Sequence, residues 1–576
     1  MAVGQAVCFT APWKPKASTS VRDRELDKST QLSHAARISA VKKRKKGASD
    51  EKPNSKDAII GVHLDSTATS PTITRRNSRT TASVSPITPP SSDNPFILYH
   101  GNSDPFNAFA LKITPVINRI ITFARDIYFP SVSAPKYLRN VYSPSRRKVE
   151  DTQAFRFGLS SSDTAIAHLG TYAAALTRIL PLSARRDIQA ACLSVRSQAL
   201  KRTRAFIASH CRKSAQKSSK VSDPPSTDSN SAKPPIELVQ QVTYLFQAAG
   251  ESRDWTSAIV HAKVLSLLLP TLTYEPTSIF LYVNAMHSML ELSAFTQTPA
   301  VVKVTDWCPE QWAGLWGYVE TALLPLPGQS QKLPGVVAGT ELLSTCFLHL
   351  KKWFSMADLL RREGQPVEKA KSDVLNLWGH TRLVQDCMEL IEYLSKASSA
   401  RDDTCESRTP TSDQCRYVLD TATAIALLLM IRRHVHYAPL GDEEIDLRDA
   451  SEVWVPELKK TLSSIECVPT AETIVDKQDD SESTESEDEN DRELLLWLYF
   501  AGAVFEQTQC LYRDRVQPRD EQEKFWFSHR LKQQTEALKV GDWDTAKPVL
   551  EKFAFSDILD PHPSTWWNEV MGRGDG

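Results

Sequence analysis

Large apolar side chains are almost missing from residues 1 to 93 and then recur with helical spacing for the rest of the chain. The first clear stripe is Ile113, Val116, Ile117, Ile120, Ile121 and Ala124, at three- and four-residue steps, with Asn118, Arg119, Thr122 and Arg125 on the other side. This predicts one amphipathic helix of about fifteen residues, roughly 22 Å long. Thr114 is placed to cap its first N–H groups, Pro115 suits the first turn, where no donor is needed, and Pro130 is expected to stop it. Between Phe155 and His210 two more helices are predicted, the first with Ala165, Ile166, Leu169, Tyr172, Ala173 and Leu176 on one face, the second over Arg185 to His210.

Further on, Gly250-Glu-Ser-Arg-Asp-Trp reads as a join between helices, with Asp254 as N-cap and Trp255, Ala258, Ala262 and Leu265 on the buried stripe. A second Asp-Trp-x-x-Ala at Asp542, Trp543 and Ala546 predicts the same kind of helix start, not a repeat. Beyond Pro270 strand-like runs are scarce. Thr421 to Ile431 reads as a buried helix followed by Arg432, Arg433 and His434, cations that suit a helix C-terminus. Leu494 to Val504 is apolar all round and belongs inside a bundle, with Phe525-Trp-Phe and Trp543 continuing the burial. The fold class expected is all-α, a multi-helix bundle or irregular helical array with a disordered N-terminal tail and disordered inserts.

The organisation that follows is a basic Ser/Thr/Pro-rich tail (1–93), a first helical part (94–211), a polar linker (212–235), a helical core (236–471), an acidic loop (472–492) and closing helices (493–576). Residues 327–337 and 400–412 read as loops. The tail is too poor in apolar surface to offset its ordering entropy. The run Asp-Asp-Ser-Glu-Ser-Thr-Glu-Ser-Glu-Asp-Glu-Asn-Asp in the acidic loop lacks the interleaved aromatics of an activation patch.

Composition narrows the function classes. Lys plus Arg and Asp plus Glu both number 69, so any attraction for nucleic acid must be local. The ten cysteines are scattered from Cys8 to Cys510 without a Cys-x-x-Cys, which fits reduced thiols in cytosol or nucleus. The opening Met1 to Thr10 has no basic residue and is followed by Pro12, a poor signal peptide, and Leu494 to Phe505 is shorter than the about 20 residues needed to span a bilayer. An intracellular protein without membrane contact is expected.

Local charge gathers at Arg37 and then Lys42, Lys43, Arg44, Lys45 and Lys46, behind Ser33-His-Ala-Ala-Arg. Such a block fits nuclear import or phosphate contact; a merely solvated charge run is the alternative. Ser78 follows Arg75-Arg76, and Ser85 and Thr88 each precede proline, patterns for basic- and proline-directed phosphorylation that would add charge to the tail.

The run Gly-Asn-Ser-Asp104-Pro105-Phe106-Asn107-Ala-Phe, then the helix opened by Pro115 and closed by Tyr-Phe-Pro130, resembles the opening of the fungal-specific transcription factor domain family, in its zinc-cluster-less group often labelled tachykinin-like. That label implies no hormone activity. The closing part resembles the same family through Leu-Leu-Trp497 with Gly502-Ala503, Trp526-Phe before Arg530-Leu531, and the Trp543 turn leading to Val549-Leu550-Glu-Lys-Phe553. Pro548 departs from the family's uninterrupted helix and is expected to make it restart there. The resemblance covers residues 94 to 560, most clearly at its two ends, and implies a nuclear regulatory protein. Family members also carry a Ser-His-Ala-Ala-Arg and basic block ahead of the folded domain, which favours import for Lys42 to Lys46.

The family's DNA-reading module is six closely spaced cysteines holding two zinc ions. Here only Cys8 lies in the first 191 residues, so that cluster is excluded. His434-Val-His436, His210-Cys211 and Cys405 with Cys415 lack zinc-site spacing, and no Gly-rich phosphate loop or catalytic motif stands out. Neither metal, cofactor nor enzyme activity is expected. Trp307, Trp312 and Trp316 near Cys308 read as core, with a ligand pocket as the alternative. The expected function is transcriptional regulation in the nucleus through protein partners of the transcription machinery or other nuclear proteins, with DNA contact at most through the arm. The alternative is an α-helical interaction scaffold with no chromatin role; an all-α enzyme would need a cleft with shifted titrating groups.

Overall fold

Thr114 Oγ1 accepts the Ile117 N–H at 3.2 Å and Pro115 occupies the first turn, so helix α1 (Pro115–Phe123) begins where the sequence places it. The computed structural model describes residues 113–128, 162–180, 182–218, 235–324, 340–362, 369–403, 412–433, 451–466, 484–513, 525–555 and 563–572. The chain is all-α, an irregular array of helices with no strand among the described residues.

α1 passes through a π-helical turn, Ala124–Tyr128, and Pro130 lies outside the described residues. α2 (Ser162–Ile179), α3 (Leu182–Ser218) and α4 (Ile236–Glu251) pack with it. Their core holds Ile120, Ile121, Phe123, Leu169, Tyr172, Leu176 and Ile188. Thr122, expected on the polar side of α1, is buried as well, because the stripe is wide enough to bring α2 and α3 against two sides of the helix.

α4 is the wall shared by two cores. Tyr244 and Leu245 face the first, while Val239, Val242, Phe246 and Ala249 face a larger second one. Covered on two sides, α4 is buried nearly all round, its polar Gln240, Gln241, Thr243 and Glu251 included. The second core is built from α5 (Trp255–Leu268), α6 (Pro276–Thr296), α7 (Pro309–Tyr318), α8 (Glu341–Arg362), α9 (Lys369–Asp403), α10 (Ser412–Ile431), α11 (Ser451–Glu466), α12 (Thr484–Arg513), α13 (Trp526–Ala537), α14 (Trp543–Lys552) and α15 (Pro563–Val570). α9 runs through its middle, touching α6, α7, α8 and α10. Trp307, Trp312 and Trp316 are buried there; the Trp307 N–H donates to the Leu272 carbonyl and the Trp316 N–H to Thr381 Oγ1, both at 2.9 Å. No helix among the described residues is long and apolar enough to cross a membrane.

Several boundaries differ from the sequence expectation. α3 continues to Ser218, into the segment taken as linker from 212, because the chain meets no Gly or Pro before Pro224. α12 starts at Thr484, inside the segment taken as an acidic loop. Glu485, Glu487 and Asp488 there fall in the first turns, where carboxylates complement the positive end of the helix dipole. α9 reaches Asp403, four residues into the 400–412 segment expected to be a loop. Pro548 does not restart α14: the helix runs continuously from Trp543 to Lys552, and Ala546 and Leu550 stay buried around it. Phe525 is 43% exposed, although Phe527 beside it is buried. Arg432 does not cap α10 in solvent. It is 2% exposed and pairs with Glu291 of α6 at 3.3 Å, while the Arg433 guanidinium lies 5.6 Å over the Phe505 ring.

Candidate functional site

α4 ends in a turn that aims side chains at one cleft. Arg253 takes a left-handed backbone (φ 54°), which lets the Asp254 N–H reach back to the Ala249 carbonyl at 2.9 Å. Asp254 Oδ1 then accepts the Ser257 N–H at 3.2 Å and starts α5, as its sequence position requires. Arg196 of α3 donates to Asp254 Oδ2 at 2.9 Å. Desolvation works to raise the Asp254 carboxyl, yet the hydrogen bonds from Ser257 and Arg196 prevail and hold it below the usual carboxylate range.

The turn places Trp255 in a stack on Phe295 of α6, with ring centroids 4.8 Å apart, and Arg253 over the same Phe295 ring at 5.5 Å. Arg253 also pairs with Glu452 of α11 at 2.8 Å. Between these groups and Arg178 of α2 lies a shallow open cleft of about 30 Å³, floored by Phe246, Ala258 and Leu292. Its rim is ionic: Arg178 meets Glu251 at 3.1 Å, and the Tyr128 hydroxyl donates to the other Glu251 oxygen at 2.9 Å. The arrangement offers a shallow, partly exposed apolar ledge at Trp255 and Phe295. A charged ligand would have to compete with ion pairs already made.

A second polar cluster lies inside the larger core. The Arg382 guanidinium donates to His349 Nε2 at 3.1 to 3.2 Å, so the other ring nitrogen carries the proton and donates to Asp386 at 2.8 Å. Arg382 also stacks on Trp316 at 4.6 Å, and Glu320 accepts the Trp378 N–H at 3.1 Å. Burial pushes the nearby Cys346 thiol well up, and the Cys387 thiol with it. Every nitrogen of His349 is engaged, so the cluster ties α7, α8 and α9 together and offers no free base beside a nucleophile.

Of the residues singled out in the sequence, Arg37, Lys42, Lys43, Arg44, Lys45, Lys46, Ser78, Ser85, Thr88, Asp104, Pro105, Phe106 and Asn107 lie outside the described residues, as do His434, His436 and Cys405. Pro115 opens α1. Trp497 is fully buried and donates to the Ala554 carbonyl at 3.1 Å; Trp543 packs on Phe555 and Trp567; Trp526 sits under Lys459 and Arg530. These three tryptophans are structural and do not line the cleft. Of the cleft lining, the sequence points to the join over residues 250–255 and to Ala258; Arg178, Phe246, Glu291 and Phe295 escape it because they come from separate helices. No family model, curated protein or solved structure matches the chain. Among the described residues no group of three or more His, Cys, Asp or Glu could hold a metal ion.

One titration has a predictable consequence. The His380 Nδ1 is enclosed, the ring meets His287 edge-on at 5.1 Å, and burial lowers its pKa from 6.5 to about 4. The folded protein thus binds this proton more weakly than the unfolded chain. Its contribution is complete above pH 6.5 and is lost as pH falls toward 4, on the order of 2–3 kcal/mol. Glu392, held down to about 2 by hydrogen bonds from Lys303 and Lys396, loses its smaller and partly solvent-screened contribution only below pH 4.5. The thermal midpoint should therefore drop between pH 6.5 and 4, and His380→Gln should flatten that drop. An unchanged slope in the variant would refute the assignment.

Proposed function

We propose that this chain is a nuclear regulatory protein whose helical array serves as a platform for partners of the transcription machinery or other nuclear proteins. The observation that carries the reading is the block Lys42 to Lys46, standing ahead of a helical array that has no zinc-cluster cysteines before it. The fungal-specific transcription factor resemblance of residues 94 to 560 supports the same class. Import through the block would bring the chain among nuclear partners, and the partly exposed stack of Trp255 on Phe295 offers an apolar contact to a partner's surface. No catalytic step is assigned.

The test is the distribution of tagged protein in cells, wild type beside a variant with Lys42, Lys43, Arg44, Lys45 and Lys46 all changed to Ala, with chromatin recovery from the nuclear fraction. The expected result is a nuclear signal lost in the variant and wild-type protein recovered at discrete genomic sites. Cytosolic signal for both proteins, with nothing on chromatin, would leave a helical interaction scaffold instead.

A further inference from the structure

In a chain whose formal charge is zero, α3 carries nine Lys and Arg against one Asp over 37 residues, a net of +8. Its apolar stripe, Ile188, Cys192, Val195 and Ala199 at i, i+4, i+7 and i+11, is buried against α2 and α4, and Thr203 donates to Gln241 of α4 at 3.0 Å. Two of the cations serve the fold: Arg185 donates to the carbonyls of Leu180 and Arg178, and Arg196 is taken by Asp254. The others do not. Arg186, Lys201, Arg204 and Arg212 are exposed and make no ion pair among the described residues.

Their spacing puts them on one side. Arg186 and Arg204 are five full turns apart, and Lys201 and Arg212 fall within about 80° of them at 100° per residue. The four span about 39 Å of helix at 1.5 Å per residue. Exposed Gln189 and Ser197 stand among them, and amide and hydroxyl side chains bond phosphate oxygens. After Phe206 the described side chains of α3 (Ile207, Ala208, Ser209, Arg212) are exposed.

We infer that the outer face of α3, through Arg186, Lys201, Arg204 and Arg212, binds the phosphate backbone of double-stranded DNA. This goes beyond the proposed function, which assigns the helical array no DNA contact, and it does not rest on nuclear import. The geometry disfavours an anionic membrane: the stripe that an interfacial helix inserts is already inside the protein, and outward Leu193 (61% exposed) and Ile207 (40%) are isolated. A rigid helix with cations along one side suits B-form DNA, whose major groove is about 12 Å wide, better than the deep, narrow groove of A-form RNA. With no base-reading set identified, the contact is independent of sequence and falls with salt.

The test is fluorescence anisotropy of a labelled DNA duplex with full-length protein in which Lys42 to Lys46 are already Ala, so that the N-terminal block does not contribute. Adding Arg186→Gln, Lys201→Gln and Arg204→Gln should weaken binding about tenfold or more at about 0.1 M salt and reduce the slope of log affinity against log salt by about 3, near 0.9 per cation removed. Circular dichroism should be unchanged, and Arg186→Lys with Arg204→Lys, which keeps the charge, should bind like the parent. Equal binding by the Gln variant overturns the proposal. So does a parent that ignores DNA yet binds duplex RNA, phosphatidylserine vesicles or an acidic peptide of residues 479–491 in a manner lost in the Gln variant.

Discussion

Trp497→Ala is expected to lower the unfolding free energy by about 3–5 kcal/mol, the range for removing a large aromatic side chain from a closed core. The indole is fully buried on α12, 5.1 Å from Phe347 of α8 and 6.0 Å from Phe553 at the end of α14, measured between ring centroids. Truncation leaves a void between three elements and also strips the Ala554 carbonyl of its donor, at present 3.1 Å away. Neither loss is easily repaired, because α12 around it is lined by Leu494, Leu496, Leu498 and Phe500, all buried against other helices. Trp497→Phe separates the two effects: it keeps most of the ring and loses the N–H, so about 1–3 kcal/mol of the loss should persist. Denaturant midpoints at constant m-value measure both. A shift below about 1 kcal/mol for the Ala variant would mean that the site can collapse, and that α8, α12 and α14 do not enclose Trp497 as described.

What the sequence revealed about the fold was local. Thr114, Asp254 and Asp542 could be read as caps because the bond that starts a helix runs from a side chain to a backbone N–H three residues on, and all three bonds are present. Leu494 to Val504 could be read as interior because no polar side was left for solvent. What escaped depends on partners distant in sequence. Thr122 is buried by α2 and α3, and Arg432 is drawn inside by Glu291, 141 positions earlier. Periodicity also failed where two effects competed. The acidic run looks unstructured by composition, yet its carboxylates favour the start of α12; Pro548 looks like a breaker, yet α14 runs through it with Ala546 and Leu550 buried on either side. The basic face of α3 was hidden for a different reason. Its cations are spread singly through the helix, so a search for charge blocks finds Lys42 to Lys46 and passes over Arg186, Lys201 and Arg204. The cleft was legible only in the join over residues 250–255 and in Ala258, since Arg178, Glu291 and Phe295 come from helices far apart in sequence.

Gly379→Ala should destabilise the protein by about 3 kcal/mol, toward the upper end for overpacking, although alanine is the better helix former. On propensity alone the change would stabilise α9 by about 1 kcal/mol. Packing reverses the sign. A Cβ at Gly379 would lie 1.9 Å from Cζ3 of Trp353, 2.7 Å from Cε3 and 2.8 Å from Cη2. The Trp353 indole is fully buried on α8 with Trp378 alongside, so the obstacle is a rigid ring inside the core, with no flexible end to swing away. Either α8 and α9 must separate or the ring must leave its rotamer. Gly502 on α12 repeats the arrangement: its added Cβ would lie 2.1 to 2.6 Å from three atoms of the Phe527 ring on α13. Both glycines therefore set the distance of closest approach between a pair of helices. Because the cause is a clash with one side chain, Trp353→Leu should absorb part of it, and the Gly379→Ala, Trp353→Leu double variant should lose less than the sum of its single changes. Additive losses, or a Gly379→Ala protein with a higher melting temperature, would show that α8 and α9 stand further apart at this point than a glycine contact requires.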